Sequence, residues 1–254
     1  MLEKIASIVR QAGKIVLEAD HPRVYQKEGH ANFVTQTDIN VQAFLLKRLS
    51  ALMPQARFFC EEQANDPLTE APTFVIDPID GTTNFMHARR CSCISVALVT
   101  HGRPDLGVIY QPYLDELYTA RAGAGAFLNG KKLEVSAFPM DQALTLIGTS
   151  PYNEQAGARS MALAAHFLKQ TGDIRRSGSA ALDLCDIAAG RAEIFWEMEL
   201  NPWDFAAGSL LVAEAGGRVC AMDGAPLPYG QKSSVLATNA LCYSPTLELI
   251  KSRV

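Results

Sequence analysis

The sequence predicts a mixed fold, in which an α+β half is followed by an α/β half. Two segments near the N-terminus carry apolar residues at helical spacing, and short apolar segments separated by turn signals follow over residues 57–128. From about residue 141, strand-like and helix-like segments alternate, as in α/β proteins. We therefore expect residues 1–140 to form helices and an antiparallel sheet, and residues 141–254 to form an α/β half packed tightly against it as one unit.

Two amphipathic helices are predicted in the N-terminal half. Apolar residues recur three and four positions apart over residues 2–19, with charged residues between them. A second helix is predicted from about Thr37 to Leu52, because apolar residues there fall on one face of a helix. Pro54 ends it. The polar segment between the two helices, residues 25–33, is interpreted as a loop or a short hairpin.

Short apolar segments after the second helix predict an antiparallel meander that packs against both helices. The predicted strands are residues 57–60, 73–76, 94–99, 106–110, 116–120 and 126–128. Asn129–Gly130 is a strong signal for a two-residue hairpin turn. Residues 125–131 nearly match a phosphate-binding Walker A loop, but Lys132 stands where Ser or Thr is needed and a strand follows. We therefore prefer the hairpin to a nucleotide site.

The C-terminal half is predicted to alternate between strands and helices. Strands are expected at residues 144–148, 192–196 and 217–220, and the last of these is expected to be the final strand. Helices are expected at residues 153–170, 179–189 and 203–215. This alternation is typical of an α/β arrangement.

Composition and charge indicate a globular protein that acts on small molecules. The 254 residues are 48% hydrophobic and carry a net charge of −4, which provides no basic surface for nucleic acid. No apolar segment approaches the ~18 residues of a membrane span, and the N-terminus leads into an amphipathic helix, so we expect a cytoplasmic location. The six cysteines form no C-x-x-C motif and are expected to be reduced core residues.

The segment Asp77-Pro-Ile-Asp-Gly-Thr-Thr-Asn84 places two carboxylates at the end of an apolar strand. Burying an unpaired carboxylate costs several kcal/mol, so this position requires an explanation. Pro78 restricts the backbone to a defined turn, which can direct both carboxylates and the Ile79 carbonyl toward one point. Gly81 allows the backbone to approach a ligand, and the following short helix offers free N–H groups to a phosphate.

Further acids occupy comparable positions in the sequence. Glu61 and Glu62 follow the strand at residues 57–60, and Asp204 opens the helix at residues 203–215. Each acid alone is explained by a solvated turn or by helix capping. Together they place several carboxylates at the ends of buried elements, which requires a cation. Oxygen ligands favour Mg²⁺ or Mn²⁺ over zinc, and a phosphate site beside them suggests a multi-metal phosphoester hydrolase.

These motifs resemble those of the inositol monophosphatase family. The resemblance lies in residues 77–85, the Glu61–Glu62 pair, residues 203–208 and residues 214–217. Residues 35–38, 129–130 and 178–181 also occur in the family order, so the resemblance covers nearly the whole chain. It implies a layered αβαβα sandwich of the inositol monophosphatase and fructose-1,6-bisphosphatase type. It also implies a Mg²⁺-dependent, lithium-sensitive phosphomonoesterase that forms a homodimer.

The resemblance further implies two groups of metal ligands. Glu61, Asp77 and the Ile79 carbonyl would hold the metal that activates water. Asp77, Asp80 and Asp204 would hold a second metal near the leaving-group oxygen. About two or three Mg²⁺ ions are expected in the site, with Mn²⁺ able to replace them.

The catalytic and substrate-binding residues are also implied by the resemblance. Thr82, hydrogen-bonded to Asp38, would orient and deprotonate the attacking water next to Glu61, although Asp38 alone is also explained as a helix cap. The residues expected to contact the phosphate or the substrate are Gly81, Thr82, Gly178, Ser179, Ala180, Glu197 and Asp204. Lys27 would add positive charge near the site or lie in solvent. Arg175 and Arg176 would bind a second phosphate or a dimer partner, or remain solvated.

The substrate is predicted by class. Thr83–Asn84 is similar to the inositol and sugar-phosphate branch of the family, whereas the nucleotide branch carries Lys-Glu there. We therefore expect a small polyol or sugar monophosphate, with myo-inositol 1-phosphate first. Histidinol phosphate, fructose-1,6-bisphosphate, 3′-phosphoadenosine nucleotides and NADP remain alternatives. A regulatory binding protein that keeps the fold is the alternative of a different class. We expect no nucleic acid or membrane partner.

Overall fold

The computed structural model describes residues 1–19, 23–27 and 32–253. In these ranges, seven α-helices and two large sheets form five layers in the order α, β, α, β, α. Apolar side chains between successive layers form three clusters, and the largest joins both sheets through the central helices. The layered αβαβα sandwich implied by the family resemblance is therefore confirmed.

The first helical layer is formed by α1 (Leu2–Glu18) and α2 (Gln36–Leu52). Both lie where the helical spacing predicts them, and side chains such as Val9 and Leu45 are fully buried against the first sheet. Between the helices, β1 (Val24–Gln26) and β2 (Phe33–Thr35) pair in antiparallel orientation. This pairing agrees with the hairpin interpretation, although residues 28–31 of that segment lie outside the described residues.

The first sheet has seven strands, which are adjacent in the order of the sequence. They are β3 (Arg57–Cys60), β4 (Thr73–Asp80), β5 (Cys93–Thr100), β6 (Arg103–Gln111), β7 (Glu116–Arg121), β8 (Gly125–Leu128) and β9 (Lys131–Lys132). From β4 to β9 the predicted antiparallel meander is confirmed, including the hairpin at Asn129–Gly130, where both φ angles are positive. The antiparallel prediction is wrong for β3, which pairs parallel to β4 because the long connection from Cys60 to Thr73 returns the chain to the same end.

Strand β4 continues through the acidic motif instead of ending before it. Its pairing with β5 matches Asp77 to Ser95 and Asp80 to Cys93, so two residues of β4 face one residue of β5. Such an extra residue is a β-bulge, and Pro78, which has no N–H to donate, lies within it. The prediction that the strand ends at Ile76 is therefore wrong. The bulge has the effect expected of the turn, since it re-aims both acidic side chains.

The central helical layer lies close to the first sheet. It consists of α5 (Ala180–Ala188) and α6 (Pro202–Glu214), which pack against each other between the sheets. At Gly107 of β6, an added Cβ would lie 2.9 Å from the Ala207 carbonyl oxygen of α6. Small residues on both elements therefore allow the helix backbone to contact the sheet, and this contact places the first turn of α6 beside β4.

The second sheet and the outer helices complete the C-terminal half. The strand order is β11 (Asp173–Arg175), β10 (Leu144–Ile147), β12 (Ile194–Leu200), β14 (Ser233–Thr238), β13 (Arg218–Cys220). The first three strands are mutually parallel, and β14 is antiparallel to both of its neighbours. Helices α4 (Glu154–Phe167) and α7 (Tyr243–Lys251) cover the outer face. Residues 218–220 form a strand as predicted, but the prediction that it is the final one is wrong, because β14 follows it. Strand β11 and helix α7 were not predicted.

The cysteines and the helices bear on two further expectations. All six thiols are free, and all except Cys91 are buried, as expected for reduced core residues. Among the described residues, no helix combines the length and the apolar character that crossing a membrane requires.

Candidate active site

One pocket contains most of the predicted site residues. It lies where the bulge of β4 and the short helix α3 (Thr82–Met86) meet the first turns of α5 and α6 and one end of β12. The predicted residues that line it are Glu61, Asp77, Ile79, Asp80, Gly81, Thr82, Gly178, Ser179, Ala180, Glu197 and Asp204. Residues separated by more than a hundred positions are thus brought together by the packing of the central helices on the first sheet.

Three aspartates form the acidic centre of this pocket. Asp77, Asp80 and Asp204 each offer a carboxylate oxygen, and these oxygens lie within 4.8 Å of one another. Asp77 is only 2% exposed, and burial together with the charges of Glu61, Asp80 and Asp204 raises its pKa well above the usual range. Burial and the neighbouring acids raise the pKa of Asp204 in the same way. The cluster therefore favours binding of positive charge.

Each of these aspartates is held by the backbone through one oxygen. The bonds run from Ile79 N to Asp77 Oδ1 (2.9 Å), from Ala181 N to Asp80 Oδ2 (2.8 Å) and from Asn201 N to Asp204 Oδ2 (2.7 Å). The last bond belongs to a capping box at the start of α6, so helix capping and membership of the acidic cluster occur together. The second oxygens of Asp77 and Asp204 accept no hydrogen bond from the described residues. This all-oxygen donor set fits a hard divalent cation such as Mg²⁺.

Glu61 lies beside the three aspartates and contacts a lysine. Lys27 Nζ is 3.2 Å from Glu61 Oε1 and 2.5 Å from Glu62 Oε1, so it contacts the acids instead of lying in solvent. Burial raises the pKa of Glu61 to about 7, although Lys27 opposes the shift. Glu62 is fixed through its backbone, which exchanges two hydrogen bonds with the side chain of Gln42 in α2.

Asp38 takes part in a helix cap through one carboxylate oxygen and contacts Thr82 through the other. It is buried in the first turn of α2, where its Oδ2 accepts hydrogen bonds from the backbone and the hydroxyl of Thr35 in a capping box. Its Oδ1 lies 3.2 Å from the Thr82 hydroxyl. That hydroxyl is also 3.0 Å from the Ile79 carbonyl, and its single proton can be donated to either oxygen. Asp38 therefore contacts the pocket through Thr82.

Gly81 connects the bulged strand to α3 in a conformation that favours glycine. Its φ is +90°, and an added Cβ would lie 2.9 Å from the Cys91 carbonyl oxygen. A side chain is thus disfavoured by both the backbone angle and the available space. The result is a close approach of the backbone to the pocket at Gly81 and Thr82.

The residues that the resemblance implies for substrate binding also make contacts within the protein. Ser179 donates its hydroxyl hydrogen bond to Asp80 and caps α5, so it supports the acid. Glu197 is buried, with its pKa raised to about 7 by burial, and its Oε1 accepts a bond from Ser150 N at 2.9 Å. Gly148 leaves space for this carboxylate, since an added Cβ would lie 2.0 Å from it. Ala180 lines the pocket, and its backbone contributes a hydrogen bond to Asp80.

Three other residues also line the pocket. The sequence interpretation gives no role to Asp183 or Tyr152 and leaves the role of Arg176 open. Asp183 is 2% exposed, its Oδ1 has no partner among the described residues, and burial raises its pKa well above the usual range. Tyr152 lies at the end of the loop after β10, and Arg176 lines the pocket while Arg175 pairs with Asp173 outside it. Sequence reasoning could not place Asp183 or Tyr152, because an acid in a helical first turn and a tyrosine after a proline are both ordinary.

Comparisons with known proteins agree with this architecture. The sequence profile of the inositol monophosphatase family matches residues 1–252. Inositol monophosphatase 2 of Solanum lycopersicum is 37% identical over 241 residues, which cover 91% of this chain and 90% of that protein. Among solved structures, the extragenic suppressor protein suhB of Bartonella henselae has a TM-score of 0.91 at 31% identity, covering 99% of this chain and 98% of that chain. The inositol monophosphatase of Anabaena has a TM-score of 0.86 at 31% identity, covering 100% and 95%. The chain therefore belongs to the inositol monophosphatase family, whose members are phosphoric monoester hydrolases.

Proposed function

We propose that this protein hydrolyses a small polyol or sugar monophosphate with Mg²⁺, and that myo-inositol 1-phosphate is its first candidate substrate. The observation that carries the proposal is the cluster of Asp77, Asp80 and Asp204, whose carboxylate oxygens converge within 4.8 Å beside the open backbone of Gly81. Acids packed so closely are stabilised by a cation, and the adjacent glycine turn leaves space for a phosphate.

The ligands proposed for the metal follow the positions of the oxygen donors. Glu61, Asp77 and the Ile79 carbonyl would hold one Mg²⁺, and Asp77, Asp80 and Asp204 another. When bound, the metal would supply an activated water and neutralise charge on the phosphate and the leaving oxygen. Burial and mutual repulsion both raise the pKa values of these carboxyls, which supports such occupancy, and Mn²⁺ would be accepted by the same donors.

The proton transfer is proposed to pass through Thr82 and Asp38. When the Thr82 hydroxyl donates its proton to Asp38 Oδ1, its oxygen is free to accept a proton from the attacking water. Asp38 remains fixed by the two hydrogen bonds from Thr35, so the acceptor that this route requires is in place before substrate arrives. Such positioned acceptors contribute to general base catalysis.

The phosphate and the leaving group are proposed to bind on opposite sides of Thr82. The Gly81 and Thr82 backbone amides would donate to the phosphate, because N–H groups at the start of a helix have no intrahelical partner. The leaving group would lie toward Ala180, Glu197 and Asp204, which line the same pocket.

Thr83 and Asn84 contribute differently to the predicted substrate class. Asn84 Nδ2 donates to the carbonyl oxygens of Cys91 at 2.7 Å and Ser177 at 3.0 Å, so Asn84 joins the loops behind the pocket. Thr83 lines the pocket itself. The small uncharged side chain at position 83 supports a compact polyol or sugar, since it offers no charge to a nucleotide.

The test is phosphate release by the purified full chain with Mg²⁺ and with EDTA. The substrates are myo-inositol 1-phosphate, histidinol phosphate, fructose-1,6-bisphosphate and NADP, each measured with and without lithium. We expect Mg²⁺-dependent release, fastest with myo-inositol 1-phosphate and abolished by Asp80→Asn. The matched control is Asp66→Asn, which changes an exposed acid outside the pocket. If the protein released phosphate from none of these substrates in Mg²⁺, the proposal would be refuted.

A regulatory protein that keeps the fold is the second candidate. The Bartonella henselae relative is named as an extragenic suppressor, a name that specifies no reaction. Asp80→Asn separates the candidates, because an enzyme loses turnover whereas a purely regulatory protein retains its cellular effect. The proposed ligands are all present in the pocket, which favours the enzyme.

A further inference from the structure

The loop between β10 and α4 carries an exposed tyrosine at the edge of the pocket. Tyr152 is 61% exposed, and it lines the same pocket as the acidic cluster, together with Pro151. The other walls of the pocket combine carboxylates, hydroxyls and backbone with the deeper apolar side chains of Ile147, Leu200 and Trp203. An aromatic face beside such walls provides an apolar contact surface for a bound molecule, and covering it with a ligand is favourable.

The loop is held in place by strand β12. Gly148 N donates to the Trp196 carbonyl at 2.9 Å, and Ser150 N donates to Glu197 Oε1 at 2.9 Å. Glu199 N in turn donates to Ser150 Oγ at 3.2 Å. Asn153, at the far end of the loop, donates to Glu199 Oε2 at 3.1 Å and caps α4. The aromatic ring is therefore carried by a preorganised segment, which lowers the entropic cost of using it for binding.

Ser150 has a backbone conformation that requires this support. Its φ is +41°, which is uncommon for a residue with a side chain, and it is buried in the loop. A residue is kept in such a conformation when its surroundings fix it, and the bonds to Glu197 and Glu199 supply that constraint. The direction of the following Pro151 and Tyr152 is therefore set by the end of β12.

Tyr152 lines the same pocket as the acidic cluster, so the charges of those acids act on its hydroxyl. Burial raises the pKa of Tyr152, and the charges of Glu61, Asp204, Asp80 and Asp77 raise it further, which places the hydroxyl within reach of their field. Tyr152 therefore shares the pocket with the acidic cluster while much of its ring remains exposed. A molecule whose phosphate lies on that cluster would have its remaining part beside this ring.

We propose that Tyr152 determines leaving-group specificity, by covering one C–H face of a cyclic polyol or a sugar ring whose phosphate lies at the acidic cluster. This inference rests on the proposed phosphomonoesterase activity. A six-membered polyol presents a continuous C–H face to an aromatic ring, whereas a short acyclic polyol does not. Tyr152 thus favours cyclic over acyclic phosphate esters.

The test compares two substrates with two variants. The substrates are myo-inositol 1-phosphate, which is cyclic, and glycerol 2-phosphate, which is acyclic. Tyr152→Ala is expected to lower kcat/KM for the cyclic ester on the order of tenfold, mainly through KM, as burial of one ring face would give. The same variant should leave glycerol 2-phosphate within about twofold, and Tyr152→Phe should keep the discrimination because the ring remains.

The controls separate this inference from the proposed function. Leu168→Ala removes another exposed apolar side chain, after α4 and outside the pocket, and should change neither substrate. The role of Tyr152 would be overturned if Tyr152→Ala lowered kcat/KM equally for both esters or for neither. It would also be overturned if the wild type preferred the acyclic ester. In each case the phosphatase activity would stand. Absence of hydrolysis of both esters by the wild type would overturn the proposed function and this inference with it.

Discussion

Removal of the divalent metal should make the stability of this protein fall as the pH rises. The acids around the pocket have pKa values above their ordinary values, so the folded chain binds more protons than the unfolded chain between the two values. For a carboxyl with a raised pKa, the stabilisation relative to the ionised state is complete below the unfolded pKa and is lost as the pH rises through the folded pKa. The metal-free protein should therefore be more stable in mild acid than in mild base.

Glu61 sets the scale of this effect. Its pKa rises from an ordinary value of 4.5 to about 7, and its side chain is only 22% exposed, so solvent screens the effect little. At about 1.4 kcal/mol per pKa unit, the linkage gives about 2 kcal/mol between about pH 8 and pH 5.5. For a chain of this size that corresponds to roughly 4–8 °C in Tm. Asp77 and Asp204 act in the same direction.

The assay is thermal unfolding in EDTA and in Mg²⁺ at about pH 5.5, 7 and 8. In EDTA, Tm should be highest at the lowest of these pH values. Mg²⁺ should raise Tm most at about pH 8, because it binds the folded cluster and its carboxyl ligands are most fully ionised there. Glu61→Gln should flatten part of the pH dependence, and Asp66→Asn, in an exposed ion pair, should leave it unchanged. A metal-free Tm that stays constant or rises with pH would refute the reasoning.

Three substitutions test other parts of the structure. Thr82→Val removes the hydroxyl beside Asp38 and should lower kcat by about 10²-fold while leaving the Mg²⁺ concentration dependence unchanged, and a shift in metal affinity instead would contradict the proton-transfer role. Asp204→Asn should keep the cap of α6 and lower kcat by ~10²-fold or more, with Tm in EDTA at about pH 8 unchanged or raised. Gly107→Ala places a methyl group against the α6 backbone and should destabilise the protein by about 1–3 kcal/mol in urea unfolding, without altering KM in the folded enzyme.

Local patterns were sufficient to predict the elements whose stability is local. The apolar spacing of residues 2–19 indicates α1, and Asn129–Gly130 indicates its hairpin, because helical periodicity and positive φ angles depend on neighbouring residues. Strand β14, at Ser233–Thr238, was missed although its last four residues are buried. Its burial results from pairing with β12 and β13 on its two sides, and no local pattern encodes such distant partners.

The same distinction applies to the candidate site. Asp77, Asp80 and Asp204 were predicted to meet because carboxylates beside buried elements require a common partner. Tyr152 and Asp183 were not predicted, since their proximity to that cluster arises from the packing of α5 and of the loop after β10. Asp38 was left between capping and catalysis; in the structure one of its carboxylate oxygens belongs to the cap of α2 and the other lies 3.2 Å from the Thr82 hydroxyl.

This division of oxygens explains how the chain tolerates an acidic cluster before a metal binds. Asp77, Asp80 and Asp204 each direct one oxygen to a backbone N–H, and a hydrogen bond to a charged group is worth about 1.5–3 kcal/mol. Those bonds offset part of the repulsion and restrict the rotamers, and the second oxygens of Asp77 and Asp204 accept no hydrogen bond from the described residues. A cation would then meet ligands that are already positioned. The bulge at Pro78 and the cap at Asn201 thus stabilise the fold and hold the acidic cluster with the same hydrogen bonds.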